Sequence, residues 1–440
     1  LLIDCPLSPH LLYGIRKIAV HQGEIHRYLA DTIYKMGRER AIYQKLIDTK
    51  APSTGKSIAI VGAGPAGLTA AFYLVRLGHE VTVYEAQKKA GGVLRYGIPS
   101  YRLPKEVLDK ELEIFTMLGI KFVFNVELGD QLSMHALQNE FSAVILAIGS
   151  YSHMELQIPG IELSGVLQGT TLLEQLEKDE PVVIGNRVVI IGGGNVAIDT
   201  ARTLWRRGCS VTVAYRRAKE DLPANTSEIE EAFAEGIKFS FMSAPVQVIG
   251  NDTGEVEAFE VMEMEGGPYD LSGRRKSLST GKIRRIPCDT VIVAIGEQVD
   301  DGLLTREGLA TTEVGNASIG RYSFKTNLQG VYAIGDVVTG PSTAAEAMGY
   351  AKDAASVIDY DLTGTRRFAS LFEKFSYDNE IPTEIDTIQP VAPRHLKITE
   401  RKGNFAEVNR GYLGEQARQE ASRCMRCDIR NNESGEVAHG

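Results

Sequence analysis

The chain is expected to be an α/β protein with two Rossmann-like dinucleotide-binding domains and a helical N-terminal segment. Three observations lead there. A strand–turn–helix–strand pattern with a glycine-rich turn runs from Ser57 to Glu85. A second begins at Arg187, and its first turn glycine, Gly192, stands 130 positions after Gly62. Each has a companion apolar stretch downstream that ends Ala-Ile-Gly, at Gly149 and Gly296.

In the first unit, Ser57–Val61 is a short apolar run that reads as a buried parallel strand. Gly62-Ala63-Gly64-Pro65-Ala66-Gly67 fits G-x-G-x-x-G, and Pro65–Leu77 carries apolar residues at helical spacing until Gly78. A second strand, Val81–Tyr84, ends at Glu85. Gly62 allows the tight turn, Gly64 lets the backbone approach a pyrophosphate, and Gly67 lets helix and strand pack closely. The pyrophosphate would rest on the free N–H groups at the helix N-terminus. Glu85, 23 residues past Gly62, is placed to accept hydrogen bonds from ribose hydroxyls.

The second unit repeats the pattern. Val188–Ile191 reads as a strand, Gly192-Gly193-Gly194-Asn195-Val196-Ala197 fits G-x-G-x-x-A, Ala197–Arg207 reads as a helix stopped by Gly208, and Ser210–Ala214 as the second strand. The register that gives Glu85 in the first unit gives Tyr215 here, followed by Arg216 and Arg217. A carboxylate would repel a 2′-phosphate, whereas guanidinium groups bind it bidentately. The first site therefore suits a plain ribose, as in FAD, and the second suits NADP(H).

Elsewhere, residues 7–48 are rich in helix formers and read as two or three helices, and 49–55 as a linker. His10, His21 and His26 lie at spacings of 11 and 5, which match no metal pair and read as surface or capping histidines. Ala90–Pro104 is too rich in glycine and proline for regular structure and reads as a loop lying against a flat ligand. Lys105–Leu118 is expected as a helix and Ile120–Asn125 as a strand. Residues 225–236 are expected as a helix, 238–265 as strands and Arg274–Arg285 as a solvated hairpin. Thr326–Asp336 is a strand that places an acid at a sheet's carboxyl edge, and Pro341–Ile358 the helix after it. Residues 365–410 read as an extended tail, and Tyr412–Arg423 as a helix leading into Cys424-Met-Arg-Cys427.

With 440 residues there is room for about three domains. A net charge of −9 argues against nucleic acid or an anionic membrane as the main partner. No apolar run approaches the roughly 20 residues needed to span a bilayer. The first residue is not Met, so a longer protein is expected. Five cysteines make no disulfide framework, and a reducing, cytoplasmic compartment is expected. Cys209 and Cys288 read as small buried hydrophobes.

Gly62–Gly67 with Glu85, Gly91-Gly92, Tyr96–Pro99, Arg102–Pro104, Gly192–Asp199 and Tyr332–Asp336 together resemble the small subunit of glutamate synthase. They equally resemble its relatives in electron-bifurcating transhydrogenases and the reductase half of dihydropyrimidine dehydrogenase. The likeness covers roughly residues 50–365. It implies an FAD domain (51–160 and 300–365) with an NADP(H) domain (161–299) inserted, between an N-terminal segment (1–50) ending an iron–sulfur domain and a tail (366–440). It implies Glu85 on the FAD ribose, Asp336 near the ribityl–phosphate and Gly92–Arg102 on the flavin. It gives Gly194, Asn195, Val196, Arg216 and Arg217 to NADP(H).

Further cofactor contacts are expected from Pro65, Ala66 and Ala86, from Val93, Leu94 and Leu103, and from Val126, Ala147 and Gly149. Gly335 and Ala344 join the first site, and Ile295 and Gly296 the second. Relatives of this kind carry an N-terminal run of cysteines for two [4Fe–4S] clusters; here only Cys5, before Pro6, stands there. Cys424-x-x-Cys427 also resembles a cluster-binding segment. Cys5, Cys424 and Cys427 do not complete a four-cysteine site, so a [4Fe–4S] cluster would be shared or completed from outside the chain. A bare C-x-x-C can also hold zinc, or nothing.

No cysteine lies between Cys5 and Cys209, which removes the thioredoxin-reductase and glutathione-reductase classes with their redox pair near the flavin. Hydride transfer from nicotinamide to flavin needs no protein acid or base, so no catalytic residue is assigned. The expected function is an NADPH-dependent FAD oxidoreductase subunit that passes electrons through iron–sulfur clusters to or from partner subunits. A stand-alone NADPH:ferredoxin reductase of adrenodoxin type and a non-catalytic nucleotide-binding subunit stay open.

Overall fold

The computed structural model of the protein describes residues 20–269, 275–371 and 389–424. The chain forms two compact units. One comprises residues 50–368 and 397–407, the other residues 1–49, 369–396 and 408–440. The described chain opens with helices α1 (Gln22–Lys35) and α2 (Glu39–Asp48) of the smaller unit.

The larger unit begins with β1 (Ser57–Val61), α3 (Pro65–Arg76) and β2 (Glu80–Glu85), followed by α4 (Val93–Tyr96), α5 (Lys105–Met117), β3 (Lys121–Phe124), α6 (Met134–Glu140) and β4 (Ala143–Leu146). β1 is a run of residues buried on both faces, as parallel strands covered by helices must be. After β5 (Ser152–His153) the chain enters a second sheet through β6 (Val166–Gln168), α7 (Gly169–Glu177), β7 (Arg187–Ile191), α8 (Asn195–Arg206), β8 (Ser210–Ala214), α9 (Thr226–Ala234) and β9 (Lys238–Ser240). An antiparallel sheet follows, β10 (Ser243–Gly250), β11 (Val256–Tyr269) and β12 (Arg275–Pro287). β13 (Thr290–Val293) closes the second sheet.

β14 (Glu297–Gln298) then pairs antiparallel with β5, opposing Glu297 to His153, so a two-stranded ribbon carries the chain out of and back into the first sheet. α10 (Asp301–Arg306), β15 (Val331–Ala333), α11 (Asp336–Thr339) and α12 (Ala344–Thr363) complete the return. The two five-stranded sheets have the orders β15-β4-β1-β2-β3 and β6-β13-β7-β8-β9. Both are parallel. The fold class and the insertion are thus those expected. β15 lies beside β4 although the whole second sheet separates them in sequence, and Leu304, Leu309 and Val331 share one apolar core with Ala59 and Leu146.

Two local expectations are corrected. The glycine-rich stretch after β2 is not wholly irregular, because Val93–Tyr96 forms one helical turn between Gly92 (φ 51°) and Gly97. Residues Arg275–Pro287 are one long strand paired with β11, not a hairpin by themselves. It is an edge strand with solvent on both faces for most of its length.

The tail holds a third departure. Residues 397–407 pack on α8 and α9. Arg401 ion-pairs with Glu231 and, at 2.9 Å, with Glu235, and the Gly403 N–H donates to the Arg206 carbonyl at 2.8 Å. Glu235 also receives Arg202 and Arg206, so one buried carboxylate gathers three arginines.

In the smaller unit, α13 (Gly414–Ser422) packs on α1. Buried Glu420 accepts the N–H groups of His21 (2.9 Å) and Val391 (2.8 Å). His21 begins α1 without capping it and lies 3.1 Å from the Tyr412 hydroxyl, so it is a packing residue within this unit. His10 falls outside the described residues. Cys209 packs against the core of the second sheet, and Cys288 is fully buried.

Candidate functional site: two glycine turns and a cavity

Each glycine turn sits at the carboxyl end of a central strand, β1 or β7, against the Ala-Ile-Gly segment of the strand beside it. A Cβ on Gly62 (φ 106°) would stand 2.3 Å from the Ala147 carbonyl oxygen; on Gly192 (φ 137°) it would stand 2.1 Å from that of Ala294. The matching segments are thus floors that close on the turns, and a side chain at either glycine is impossible. Gly67 is required by packing too, since its Cβ would meet the Gly62 carbonyl at 2.0 Å.

Gly64 and Gly194 differ from these. Their backbones are ordinary extended ones (φ −78° and −81°), and a Cβ on either would meet nothing within 4 Å. Neither backbone conformation nor internal packing asks for glycine there. Each glycine immediately precedes the first residue of a helix of 12 residues. The open side is where an anion would reach the free N–H groups of α3 and α8.

The first turn opens into a cavity of about 480 Å³. Gly62, Gly64, Pro65 and Ala66 line it from below, Glu85 and Ala86 from β2, and Gly92 and Val93 from α4. Val126, Ala147 and Gly149 form a further wall, and Asp336 and Ala344 come from the returning chain. Gly335 lies just behind, its Cβ position 2.8 Å from that of Ala66. Leu94, Leu103 and Arg102 are not part of the wall. The Leu94 carbonyl accepts from Lys105 Nζ, and Arg102 is ion-paired with Asp199 at 2.6 Å and Glu228 at 3.3 Å.

Glu85 is buried, which pushes its carboxyl above the usual carboxylate range, although the N–H groups of Ala63 (2.7 Å) and Gln87 (2.9 Å) donate to its two oxygens and oppose the rise. It therefore braces the glycine turn from behind while facing the cavity. Asp336 Oδ1 accepts from Ser342 Oγ at 2.6 Å.

Other lining residues were not anticipated. Tyr151 comes from just before β5, His153 from β5, Thr170 and Glu174 from α7, and Glu297 from β14. Glu297 accepts from Thr170 Oγ1, and burial raises its carboxyl. Tyr151 and Glu297 closely follow the two Ala-Ile-Gly segments, a signal that was readable. Thr170 and Glu174 belong to the second sheet's helix and reach the first site only through tertiary contact.

Around the second turn, a Cβ on Gly193 would stand 2.7 Å from the Tyr215 ring, and the Tyr215 hydroxyl donates to the Asp221 carbonyl at 2.7 Å. Tyr215 is thus a floor beneath the turn. Asn195 Oδ1 accepts the Asn225 N–H at 2.9 Å. Val196 and Arg217 are half-buried, and Arg216 is exposed at the end of β8. Ile295 packs at the second sheet's core, and a Cβ on Gly296 would stand 3.0 Å from the Met154 sulfur.

Cys424 is exposed just beyond α13, whereas Cys5 and Cys427 lie outside the described residues. Among the described residues, no group of three His, Cys, Asp or Glu is placed to hold a metal ion, and no helix is long and apolar enough to cross a membrane.

Two dinucleotide folds, one inserted in the other and each with a built glycine turn, define a nicotinamide- and flavin-dependent oxidoreductase class. The chain belongs to the pyridine nucleotide-disulphide oxidoreductase family, whose model matches residues 56–351. It is therefore an NAD(P)H-dependent flavin oxidoreductase by class. It is 36% identical over 394 residues to the NADP(+)-dependent formate dehydrogenase subunit beta of Moorella thermoacetica, covering 86% of this chain and 55% of that protein. It is 34% identical over 361 residues to the glutamate synthase [NADPH] small chain of Escherichia coli, covering 77% and 74%. The likeness expected from the motifs is thereby shown.

The chain spans a little over half of the Moorella protein, and 62% of the 32% identical NADPH-Fe(3+) oxidoreductase subunit beta of Geobacter sulfurreducens. Among solved structures, FprA from Mycobacterium tuberculosis in complex with NADPH shares the fold, with a TM-score of 0.60 at 21% identity over 74% of this chain and 88% of that one. Among the described residues, no cysteine lines the cavity as a counterpart to the disulphide in the family's description.

Proposed function

We propose that the protein is the NADPH–FAD oxidoreductase part of a larger electron-transfer complex. It exchanges hydride between NADP(H) and FAD and passes electrons through iron–sulfur clusters to or from partner subunits. The observation that carries the reading is the second glycine of each turn: Gly64 and Gly194 are needed neither by backbone conformation nor by packing. A bound pyrophosphate gives each a reason, since a methyl group there would occupy the ligand's place.

In this reading the FAD domain is 51–160 with 300–365, and the NADP(H) domain is 161–299. Gly64 and the N-terminus of α3 hold the FAD pyrophosphate, Glu85 the ribose, Asp336 the ribityl–phosphate region, and Gly92–Val93 lie along the ring. Gly194, Asn195 and Val196 hold the NADP(H) pyrophosphate, and Arg216–Arg217 take the 2′-phosphate. When bound, the flavin supplies both hydride and one-electron chemistry; the chain's residues bind, orient and exclude water.

The relatives are named as subunits or as a small chain, which supports a partner-bound state. For the cluster, the supporting feature is Cys424, exposed just past a helix, α13, that packs on α1. Its other ligands are Cys427, Cys5 and a group from outside the chain.

The test is made on the complex purified with its native partners. It should be yellow, NADPH should bleach it, and Cys424→Ser with Cys427→Ser should remove iron and sulfide in equal amounts. Unchanged iron, or zinc in its place, defeats the cluster; a colourless protein defeats the flavin reading.

A further inference from the structure

The antiparallel sheet of β10, β11 and β12 plays no part in either glycine turn, yet β12 touches the loop expected to read the coenzyme at one point and the two serines that flank it at another. Ser277 Oγ donates to the Arg216 carbonyl at 2.9 Å. Seven residues on, Arg284 Nη2 reaches Ser240 Oγ at 2.5 Å and Ser243 Oγ at 3.2 Å.

Those two serines belong to the same edge. Ser240 pairs in register with Ala214, the Tyr215 N–H donates to the Ser240 carbonyl at 2.9 Å, and the Ser243 N–H donates to the Tyr215 carbonyl at 2.9 Å. The Met242 N–H donates to the Arg217 carbonyl at 3.1 Å. Arg284 is thus held against the strand end that presents Tyr215, Arg216 and Arg217, although 67 residues separate it from Arg217.

We propose that Arg284 is a third cation of the 2′-phosphate site, and that Ser277 is a positioning residue that fixes the Arg216 backbone beside it; this rests on the NADP(H) reading above. Two hydroxyls are weak partners for a guanidinium. The side chain is 45% exposed, and its ion-pair partner, Glu263, stands 3.8 Å away, long for a strong pair. Most of its donors are therefore available for an oxyanion, which a planar fork binds better than hydroxyls do. Lys219, two residues past Arg217, lies over the Phe233 ring at 4.5 Å. The sheet would thereby serve as a specificity element: it adds a cation to the 2′-phosphate and none to a plain ribose.

The probes are adenosine 2′,5′-bisphosphate and AMP, which differ only in the 2′-phosphate, titrated calorimetrically into the full-length flavin-loaded protein. Arg284→Gln should weaken the bisphosphate about tenfold, the effect of one charge-assisted hydrogen bond at a half-exposed site, and leave AMP unchanged. Arg284→Lys should recover part of the loss at low salt, and Ser277→Ala should lose about threefold on the bisphosphate alone. Equal changes for both ligands, or none for either, overturn the proposal. If the wild type does not discriminate the two ligands, the NADP(H) reading falls and this inference with it. If Arg216→Ala with Arg217→Ala abolishes discrimination while Arg284→Gln keeps it, this inference alone fails.

Discussion

Arg102 and Asp199 meet at 2.6 Å, one from the loop before α5 and the other from within α8, so the first sheet's loop is keyed into the second sheet's helix. The key has more teeth. The Tyr101 hydroxyl donates to the Asp199 carbonyl at 3.2 Å, and its buried ring lies 3.9 Å from the Arg206 guanidinium. Ser100 gives Glu177 both its N–H (3.1 Å) and its hydroxyl (2.9 Å). The stretch expected to lie on a flavin thus has two parts: Gly92 and Val93 line the cavity, and Ser100, Tyr101 and Arg102 join the two sheets.

Arg102→Ala should therefore damage stability before it damages flavin binding. It leaves Asp199 buried with neither oxygen paired, since Asp199 Oδ1 already lacks a hydrogen bond. The loss should be about 2–3 kcal/mol, at or below the low end of the range for a broken buried pair because Arg102 stays partly exposed. Urea unfolding gives the loss, and flavin absorbance should show full occupancy. A stable variant without flavin would return Arg102 to the flavin site.

Gly64→Ala and Gly194→Ala separate ligand demand from fold demand. Both backbones suit alanine and both sites are open, so the unfolding midpoint of the flavin-free protein should hold or rise slightly against the flavin-free wild type. Gly64→Ala should purify depleted of FAD, and Gly194→Ala should keep FAD and lose NADPH affinity. Glu85→Ala should lose FAD as well, with some stability, because the Ala63 N–H loses its acceptor. Full flavin in the Gly64→Ala protein would remove the main support for the first site.

For coenzyme choice, Arg216→Ala with Arg217→Ala should cut the preference for NADPH over NADH. Charge-assisted hydrogen bonds at a partly exposed site are worth about 1.4–3 kcal/mol together, roughly a 10- to 150-fold fall in kcat/KM for NADPH relative to NADH. Steady-state kinetics with both coenzymes measures the ratio. A wild type that prefers NADH, or a ratio that does not move, would mean that the arginines do not read the 2′-phosphate.

Glu235 gives the fold an acid limit. Burial opposes its ionisation, but the hydrogen bonds from Arg202 and Arg206 outweigh burial and hold the carboxyl down to about 2, against 4.5 ordinarily. Between these values the unfolded chain binds a proton that the folded one does not. The stabilisation is therefore complete above about pH 4.5 and fades as the pH falls toward 2. Glu235→Gln should lower stability at neutral pH and flatten that limb in urea midpoints measured between these pH values. An unchanged slope would show that the three arginines do not depress this carboxyl.

Both glycine turns, the strands and helices around them, and the contrast between Glu85 and Tyr215-Arg216-Arg217 were readable along the chain. They are local: apolar periodicity sets strand and helix, and a tight turn under a carbonyl admits only glycine. The repeated Ala-Ile-Gly was readable as a pattern, but its purpose, a floor 2.1–2.3 Å from each missing Cβ, emerges only when neighbouring strands pair. The helical turn at Val93–Tyr96 hid between glycines, and the strand Arg275–Pro287 was masked by charges that face solvent. Arg102 with Asp199, Arg401 with Glu235, Arg284 with Ser240, and the reach of Thr170 and Glu174 into the first cavity had no sequence signal. Polar side chains pair by position in space, across separations that carry no period, so only the packed structure decides which carboxylate an arginine meets.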